Sequence, residues 1–215
     1  MSQLPDTAPL SPQPRLRRVH LITAAVIVAV LGAMALDTTV VQIGSDADVR
    51  AAKFSPEAYG VATFPIVQAN ITARAVDAVE LANAIAADPK AAEAKYSVAG
   101  VYPVKLQGIV GEGKSGIYYV DVAGISAPVR LRVQTGPAIN GTELRDATGE
   151  INFSQFTNQI EYQDAGSALN KELKKLVLDG IDNSALTGKT VTVVGAFKLV
   201  NPKNWLITPV SLEVK

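Results

Sequence analysis

The sequence predicts a mixed α+β fold, in which an apolar N-terminal helix and shorter helices precede a small antiparallel β-barrel. Three observations support this prediction. An uncharged run covers residues 19–36, apolar residues follow a helical spacing after Ile71, and the apolar period changes to two after Pro103. Of the 215 residues, 48% are hydrophobic and 19% are charged, which is the composition of a globular chain. We therefore expect one ordinary domain with accessory segments.

Charge and cysteine content exclude several classes of function. Lys plus Arg and Asp plus Glu each number 20, whereas nucleic-acid-binding domains carry a basic excess. The chain has no cysteine, which excludes disulfides, thiolate metal sites and lipid attachment to cysteine. The single histidine, His20, lies in the apolar run. No Ser-His-Asp triad is therefore expected in the part of the chain that follows this run. We expect no metal or other cofactor and no nucleic-acid partner.

The N-terminus has the pattern of a membrane anchor or an export signal. Residues 1–18 are predicted to be a disordered cytoplasmic tail, because they are polar, rich in proline and end with three arginines. Residues 19–36 span roughly 27 Å as a helix, close to the hydrocarbon thickness of a bilayer. Ala33-Met34-Ala35 also matches a signal-peptidase site. Two forms stay open: a single-pass inner-membrane protein with a periplasmic C-terminal domain, or a periplasmic protein cleaved near Ala35.

Residues 37–102 are predicted to form a stalk and N-terminal helices. Ser55-Pro56-Glu57 has the composition of a helix start, and Pro65 is expected to bend that helix. An apolar stripe from Ile71 to Ala86 predicts a second helix. Asp88-Pro89 is expected to end it and to cap a shorter one.

Residues 103–215 are predicted to form the barrel. A helix with Asp164 as its N-cap separates three strands from two, and Gly180 ends that helix. This order is that of a five-stranded antiparallel OB-like barrel, β-β-β-α-β-β; an open antiparallel sheet with helices on one face is the alternative. The predicted strands cover residues 104–110, 117–122, 129–133, 190–200 and 205–214.

One nucleotide-binding motif occurs in an unsuitable context. Residues 108–115, GIVGEGKS, match the phosphate-loop pattern G-x-x-x-x-G-K-[ST], which needs a strand, a loop and then a helix. The residues after Ser115 alternate and are β-branched or aromatic, as in a strand. We therefore predict a hairpin here and no nucleotide partner.

The candidate binding residues lie in and near residues 151–170, where large apolar side chains alternate with amides. Phe153, Phe156, Ile160 and Tyr162 are large enough to anchor a core. Amides and a charged pair above aromatic rings suit a sugar hydroxyl array or a peptide backbone, although the same groups are equally suited to satisfying buried backbone. The predicted ligand or partner contacts are Arg145, Asp146, Thr157, Asn158, Gln159, Glu161 and Asn170.

The chain carries no recognisable catalytic motif, so a binding or adaptor protein is the leading hypothesis. The alternative is a carboxylate-dependent hydrolase that acts on a carbohydrate outside the cytoplasm. It requires Glu161 and Asp146 to face each other across a pocket at about 5 to 10 Å.

Four segments of the chain carry a family resemblance: FSPEAY at 54–59, GP at 136–137 leading to GTELRD at 141–146, FSQFTNQIEY at 153–162 running on to ALN at 168–170, and LITPV at 206–210. They resemble a family of predicted bacterial periplasmic lipoproteins of unknown function. Members are often encoded beside sugar ABC importers, so the resemblance implies an accessory role in uptake and transporter components as partners. No catalytic residues are established for the family. Because this chain has no cysteine, the resemblance implies that the apolar run replaces the lipid anchor.

Overall fold

The computed structural model describes residues 14–38, 54–125 and 129–215. The chain divides into two compact units, residues 1–52 and residues 53–215. The tail predicted for residues 1–18 lies largely outside the described residues, and so do residues 39–53 of the predicted stalk.

The first unit contains one long helix, α1 (Pro14–Asp37). From Arg18 to Asp37 its mean hydropathy is 2.4 and none of its side chains is buried. Length and composition therefore allow it to cross a membrane, as predicted for residues 19–36. An export signal has the same properties, so both predicted forms stay open.

Three helices begin the second unit: α2 (Pro56–Arg74), α3 (Ala78–Ala87) and α4 (Pro89–Tyr96). As predicted, Ser55 caps α2, and its Oγ accepts a hydrogen bond from the Ala58 amide at 3.3 Å. The prediction of one helix from Ile71 was wrong, because Ile71 belongs to α2 and a break follows Arg74. The Asp77 carboxylate starts α3 anew by accepting hydrogen bonds from the amides of Val79 and Glu80.

The sheet has six strands, so the five-stranded antiparallel barrel was wrong in strand number and in pairing. The strand order is β1-β2-β3-β4-β6-β5, and β5 also pairs with β2. Two pairs are parallel, β1 with β2 and β4 with β6. The strands are β1 (Val76–Asp77), β2 (Val101–Lys114), β3 (Ile117–Asp121), β4 (Arg130–Gln134), β5 (Thr190–Lys198) and β6 (Asn204–Val214).

The two parallel pairs have simple physical causes. A long connection carries the chain from β4 through the helical segments and β5 before β6 forms, which is the kind of crossover that parallel neighbours need. β1 has two residues, which is too short to show a sequence period. The segment with the phosphate-loop pattern lies in β2 and its turn, where Gly113 pairs with Tyr118 and Lys114 with Ile117, so the predicted hairpin is present.

A short helix, α5 (Glu143–Asp146), and a longer one, α6 (Gln159–Leu173), connect β4 to β5. A π-helical segment, Lys174–Leu178, extends α6. Asp164 was wrongly predicted as the N-cap of α6, which begins five residues earlier. Asn158 is the N-cap, and its Oδ1 accepts a hydrogen bond from the Glu161 amide at 3.0 Å.

The second unit has two groups of buried apolar side chains. One fills the sheet interior against α3, where Phe197 stacks on Trp205 at 4.5 Å and on Tyr102 at 5.4 Å between ring centroids. The other joins α2, α5 and α6 to the outside of the sheet, and includes Phe64 and Leu169. The helices before β2 are therefore part of the same packed unit as the sheet.

Candidate functional site

Arg145 and Asp146, at the end of α5, are bonded to each other and to their neighbours. The Arg145 side chain is buried, and its Nε donates to Asp146 Oδ1 at 2.8 Å. Its Nη1 donates to the Tyr162 carbonyl at 3.2 Å, and the guanidinium lies 3.7 Å from the Tyr162 ring centroid. The Thr142 hydroxyl donates to Asp146 Oδ2 at 2.7 Å. This network ties α5 to the first turn of α6.

Thr157, Asn158 and Glu161 form the N-terminal cap of α6. Asn158 accepts from the Glu161 amide, and Glu161 Oε2 accepts from the Thr157 amide at 2.9 Å. This reciprocal arrangement satisfies two backbone donors that a helix start otherwise leaves free. The Asn158 and Glu161 side chains therefore have a structural use at the helix end, to which Thr157 contributes its backbone amide.

The last two predicted residues lie apart from each other along α6. Gln159 is exposed, while the Asn170 amide donates to the Gly141 carbonyl at 3.0 Å and so fixes the segment before α5. Asn170 also lines an open groove of about 330 Å³ with Asn140, Ser167 and Lys171. The structure thus brings Arg145 and Asp146 together, and separately Thr157, Asn158 and Glu161. Their role in ligand binding stays a prediction.

The aromatic residues of this stretch pack on one another at the surface, although they were expected to anchor a core. Tyr162 lies 5.4 Å from Phe156 and 5.7 Å from Phe153, between ring centroids. Phe156 also contacts Phe54 and Tyr59, at 5.5 and 5.7 Å. None of these rings is fully buried. The reason is that the buried face of α6 begins only at Ala165, one turn after Tyr162.

A buried polar network lies beside α5. The Gln134 side chain exchanges hydrogen bonds with the Asn140 backbone and donates to Thr208 Oγ1 at 2.8 Å. Thr208 Oγ1 in turn lies 3.5 Å from Glu143 Oε2. Burial raises the pKa of the Glu143 carboxyl above its ordinary value, and the charge of Asp146 adds to the rise.

An open groove on the outer side of β3 and β4 contains the one cationic side chain with an unsatisfied buried atom among the described residues. Arg132 lies opposite Tyr119 in the β3–β4 register, and its Nε is buried without a hydrogen-bond partner. Tyr119 is 39% exposed. We call this the β3–β4 groove; its volume is about 430 Å³, and it is lined by Glu112, Gly113, Lys114, Ser115, Ile117, Tyr119 and Arg132.

The chemistry of the β3–β4 groove suits a small polar ligand with one apolar face. Arg132 lines the groove, and its guanidinium is a planar group with five N–H donors that suits ligand oxygens. Lys114 adds a second donor, Glu112 adds an acceptor, and Tyr119 presents a ring. The sequence prediction did not include this groove. The available signal was the alternation of Arg130 and Arg132 with apolar residues in β4, which places both arginines on the outer face.

Comparisons with known proteins found a matching family and a similar fold. The model of the family DUF2291, described as a predicted periplasmic lipoprotein, matches residues 24–213, from within α1 almost to the end of β6. Among solved structures, the chain is similar to an OB-fold protein from Thermotoga maritima, with a TM-score of 0.62 and 22% identity. That match covers 75% of this chain and 99% of the other, and it shows a shared fold alone. The comparison with curated proteins found no match.

Proposed function

The chain belongs to the family of predicted periplasmic lipoproteins, whose function is unknown, and we propose that it is a binding protein held at the inner membrane by α1. The chain has no cysteine to carry a lipid, and α1 is long and apolar enough to take that role. Three arginines precede the apolar run, which favours a cytoplasmic N-terminus and a periplasmic second unit. Cleavage near Ala35 would instead release the second unit into the periplasm.

The ligand binds in the β3–β4 groove in this proposal. The observation that carries it is the pairing of two groove-lining side chains on neighbouring strands, the Arg132 guanidinium and the half-exposed ring of Tyr119. The outer face formed by the second and third barrel strands of OB folds is also a frequent site for oligosaccharides and oligonucleotides. The lack of a basic excess in this chain favours the former class.

We further propose that the ligand is a sugar and that the protein assists an importer. Donors and an acceptor beside an aromatic ring match the hydroxyls and the apolar face of a pyranose. The resemblance to a family often encoded beside sugar ABC importers supports the same role.

Binding without catalysis is the simpler proposal. The hydrolase alternative needs Glu161 and Asp146 to face each other across a cleft. Glu161 instead accepts from a backbone amide at the start of α6, and Asp146 accepts from Arg145 and Thr142. Both carboxylates therefore have structural partners.

Thermal unfolding of the full chain in detergent, with neutral sugars and uronic acids in turn, tests the ligand. Trp205 is the only tryptophan and is fully buried, so its fluorescence reports unfolding of the second unit. A sugar at a hundredfold excess over Kd contributes about 2.7 kcal/mol, which should raise Tm by roughly 5–10 °C. Tyr119→Ala and Arg132→Met should each remove most of this rise.

Two further variants test whether the ligand binds in the β3–β4 groove or at the residues predicted from sequence. Lys203→Met changes an exposed cation outside the groove and should keep the full rise. Asn158→Ala removes a helix cap, so it should lower the ligand-free stability by about 1 kcal/mol and also keep the rise. Loss of the rise in Asn158→Ala but not in Arg132→Met would show that the groove is the wrong site. An unchanged Tm with every sugar would contradict the sugar proposal.

A further inference from the structure

The second unit carries an apolar surface at the point where the chain enters it. Phe54, its first described residue, packs on Tyr59 and Phe156 at 5.4 and 5.5 Å between ring centroids. Two residues near Phe156 in the sequence are exposed apolar side chains: Phe153 is 49% exposed and Ile160 is 70% exposed. We call this surface the aromatic end; it consists of Phe54, Tyr59, Phe153, Phe156, Ile160 and Tyr162.

The apolar surface continues along α2. No charged residue occurs between Glu57 and Arg74, although α2 lies on the surface of the unit. Val61 is 55% exposed and Ile66 is 60% exposed, and the other exposed positions between them are alanine and proline. Soluble proteins rarely expose a continuous apolar patch of this kind unless it contacts a partner or a membrane.

Chain connectivity favours the membrane as the occupant. Only residues 39–53 separate the described part of the anchor from Phe54, and fifteen residues reach at most about 54 Å in any conformation. A short connection of this kind gives the aromatic end a high effective concentration at the bilayer surface. Aromatic side chains are also the residues that favour the interface between lipid headgroups and acyl chains.

We propose that the aromatic end and the adjoining outer face of α2 dock on the outer surface of the membrane that holds α1. Docking is a property separate from the proposed sugar binding. Of the proposed function, it requires only that α1 anchors the chain in the membrane. Apolar burial supplies the binding free energy, because the six side chains of the aromatic end carry no charge and the cation that contacts Tyr162, Arg145, is itself buried.

The absence of cysteine makes a direct test available. Ile160→Cys in the full chain is labelled with an environment-sensitive fluorophore and reconstituted into phosphatidylcholine vesicles. The matched label is Val200→Cys, at an 86% exposed apolar residue between β5 and β6. We expect a blue shift and quenching by spin-labelled lipids for the label at position 160, and neither effect at position 200. Flotation with the vesicles reports anchoring separately, so loss of docking and loss of anchoring are distinguishable.

A second substitution checks that the aromatic end causes the effect. Phe153→Asp in the Ile160→Cys background should reduce the equilibrium constant for docking about tenfold, since it removes one large apolar side chain from the interface. Val200→Asp should leave it unchanged, and Trp205 fluorescence confirms that each variant is folded.

Three outcomes would overturn the proposal. The first is a label at position 160 that stays as accessible to an aqueous quencher as the label at position 200. The second is shielding that requires phosphatidylglycerol and disappears in high salt, which would indicate electrostatic attachment. The third is shielding that fades when the protein is diluted at constant lipid, which would indicate contact between two copies.

Discussion

Glu143 is a carboxylic acid whose ionisation depends on the fold. Its carboxylate lies near Thr208, which also accepts a hydrogen bond from Gln134 at 2.8 Å. Burial raises the pKa of Glu143 above its ordinary value of 4.5, with a further rise from Asp146. The folded protein therefore holds this proton more tightly than the unfolded chain does. It follows that Glu143 makes the fold less stable as pH rises from about 4.5 through the raised pKa.

Glu143→Gln should remove this pH dependence. Glutamine keeps an oxygen that accepts from Thr208 but carries no charge to be buried. The free energy of unfolding of the variant minus that of the natural chain should be smallest below pH 4.5 and should increase towards pH 7. Urea unfolding followed by Trp205 fluorescence at several pH values measures it. Glu150→Gln, at an exposed position, is the control. A difference that stays constant from pH 4 to pH 7 would refute this assignment.

At the residue scale, the sequence indicates which segment is densely packed, whereas the ligand-binding role of its residues stays a prediction. It identified residues 151–170 as a dense polar and aromatic stretch, and these residues do form contacts with one another. It missed that Asn158 and Glu161 form a helix cap, because an amide followed three residues later by an acid fits both a cap and a binding site. Arg132 was missed because burial of a single Nε depends on packing across strands, which local sequence does not reveal.

At the scale of secondary-structure elements, the contact between α2 and α6 depends on one glycine. A Cβ placed at Gly60 would lie 2.9 Å from the carbonyl oxygen of Ala168 on α6, so the two helices approach too closely for any side chain there. Gly166 is a natural control, because a Cβ there would meet its nearest atom, Cδ of Arg145, at 3.9 Å. Both glycines lie inside helices.

Alanine at these two positions should have opposite effects. Replacing glycine by alanine within a helix ordinarily adds up to about 1 kcal/mol of stability, which we expect for Gly166→Ala. For Gly60→Ala, separating the helices should outweigh that gain and lower the free energy of unfolding by about 1–2 kcal/mol net. Urea unfolding of the two variants in parallel measures the difference. Equal stabilisation by both would show that α2 and α6 are less closely packed than described.

Most elements could be predicted from sequence, whereas the sheet pairing could not. Period-two segments after Pro103 located the five longer strands, and Ser55-Pro56-Glu57 located the start of α2. The apolar period shows which face of a strand is buried but does not show its neighbour. The parallel alignment of β4 and β6, and the added strand β1, depend on contacts between distant parts of the chain.

At the scale of the whole molecule, the two buried groups set the smallest unit that can fold. The sequence predicts a stalk and N-terminal helices over residues 37–102 and a barrel domain over residues 103–215. In the structure, α2 contributes Phe64, Val67 and Ile71 to one buried group, and α3 contributes Leu81 to the other. These side chains cover both faces of the sheet, so a chain that lacks them exposes apolar surface on each side.

Two truncated chains test whether the folding unit begins near residue 54 or near residue 103. A chain of residues 54–215 should unfold cooperatively, with Trp205 buried and a Tm within a few degrees of the full chain in detergent. A chain of residues 103–215 should not fold, because each large buried side chain contributes roughly 2–5 kcal/mol and a domain has only about 5–15 kcal/mol of stability. Circular dichroism and Trp205 fluorescence distinguish the two. Cooperative unfolding of residues 103–215 near the Tm of the longer chain would mean that the barrel is self-sufficient and that α2 and α3 only cover it.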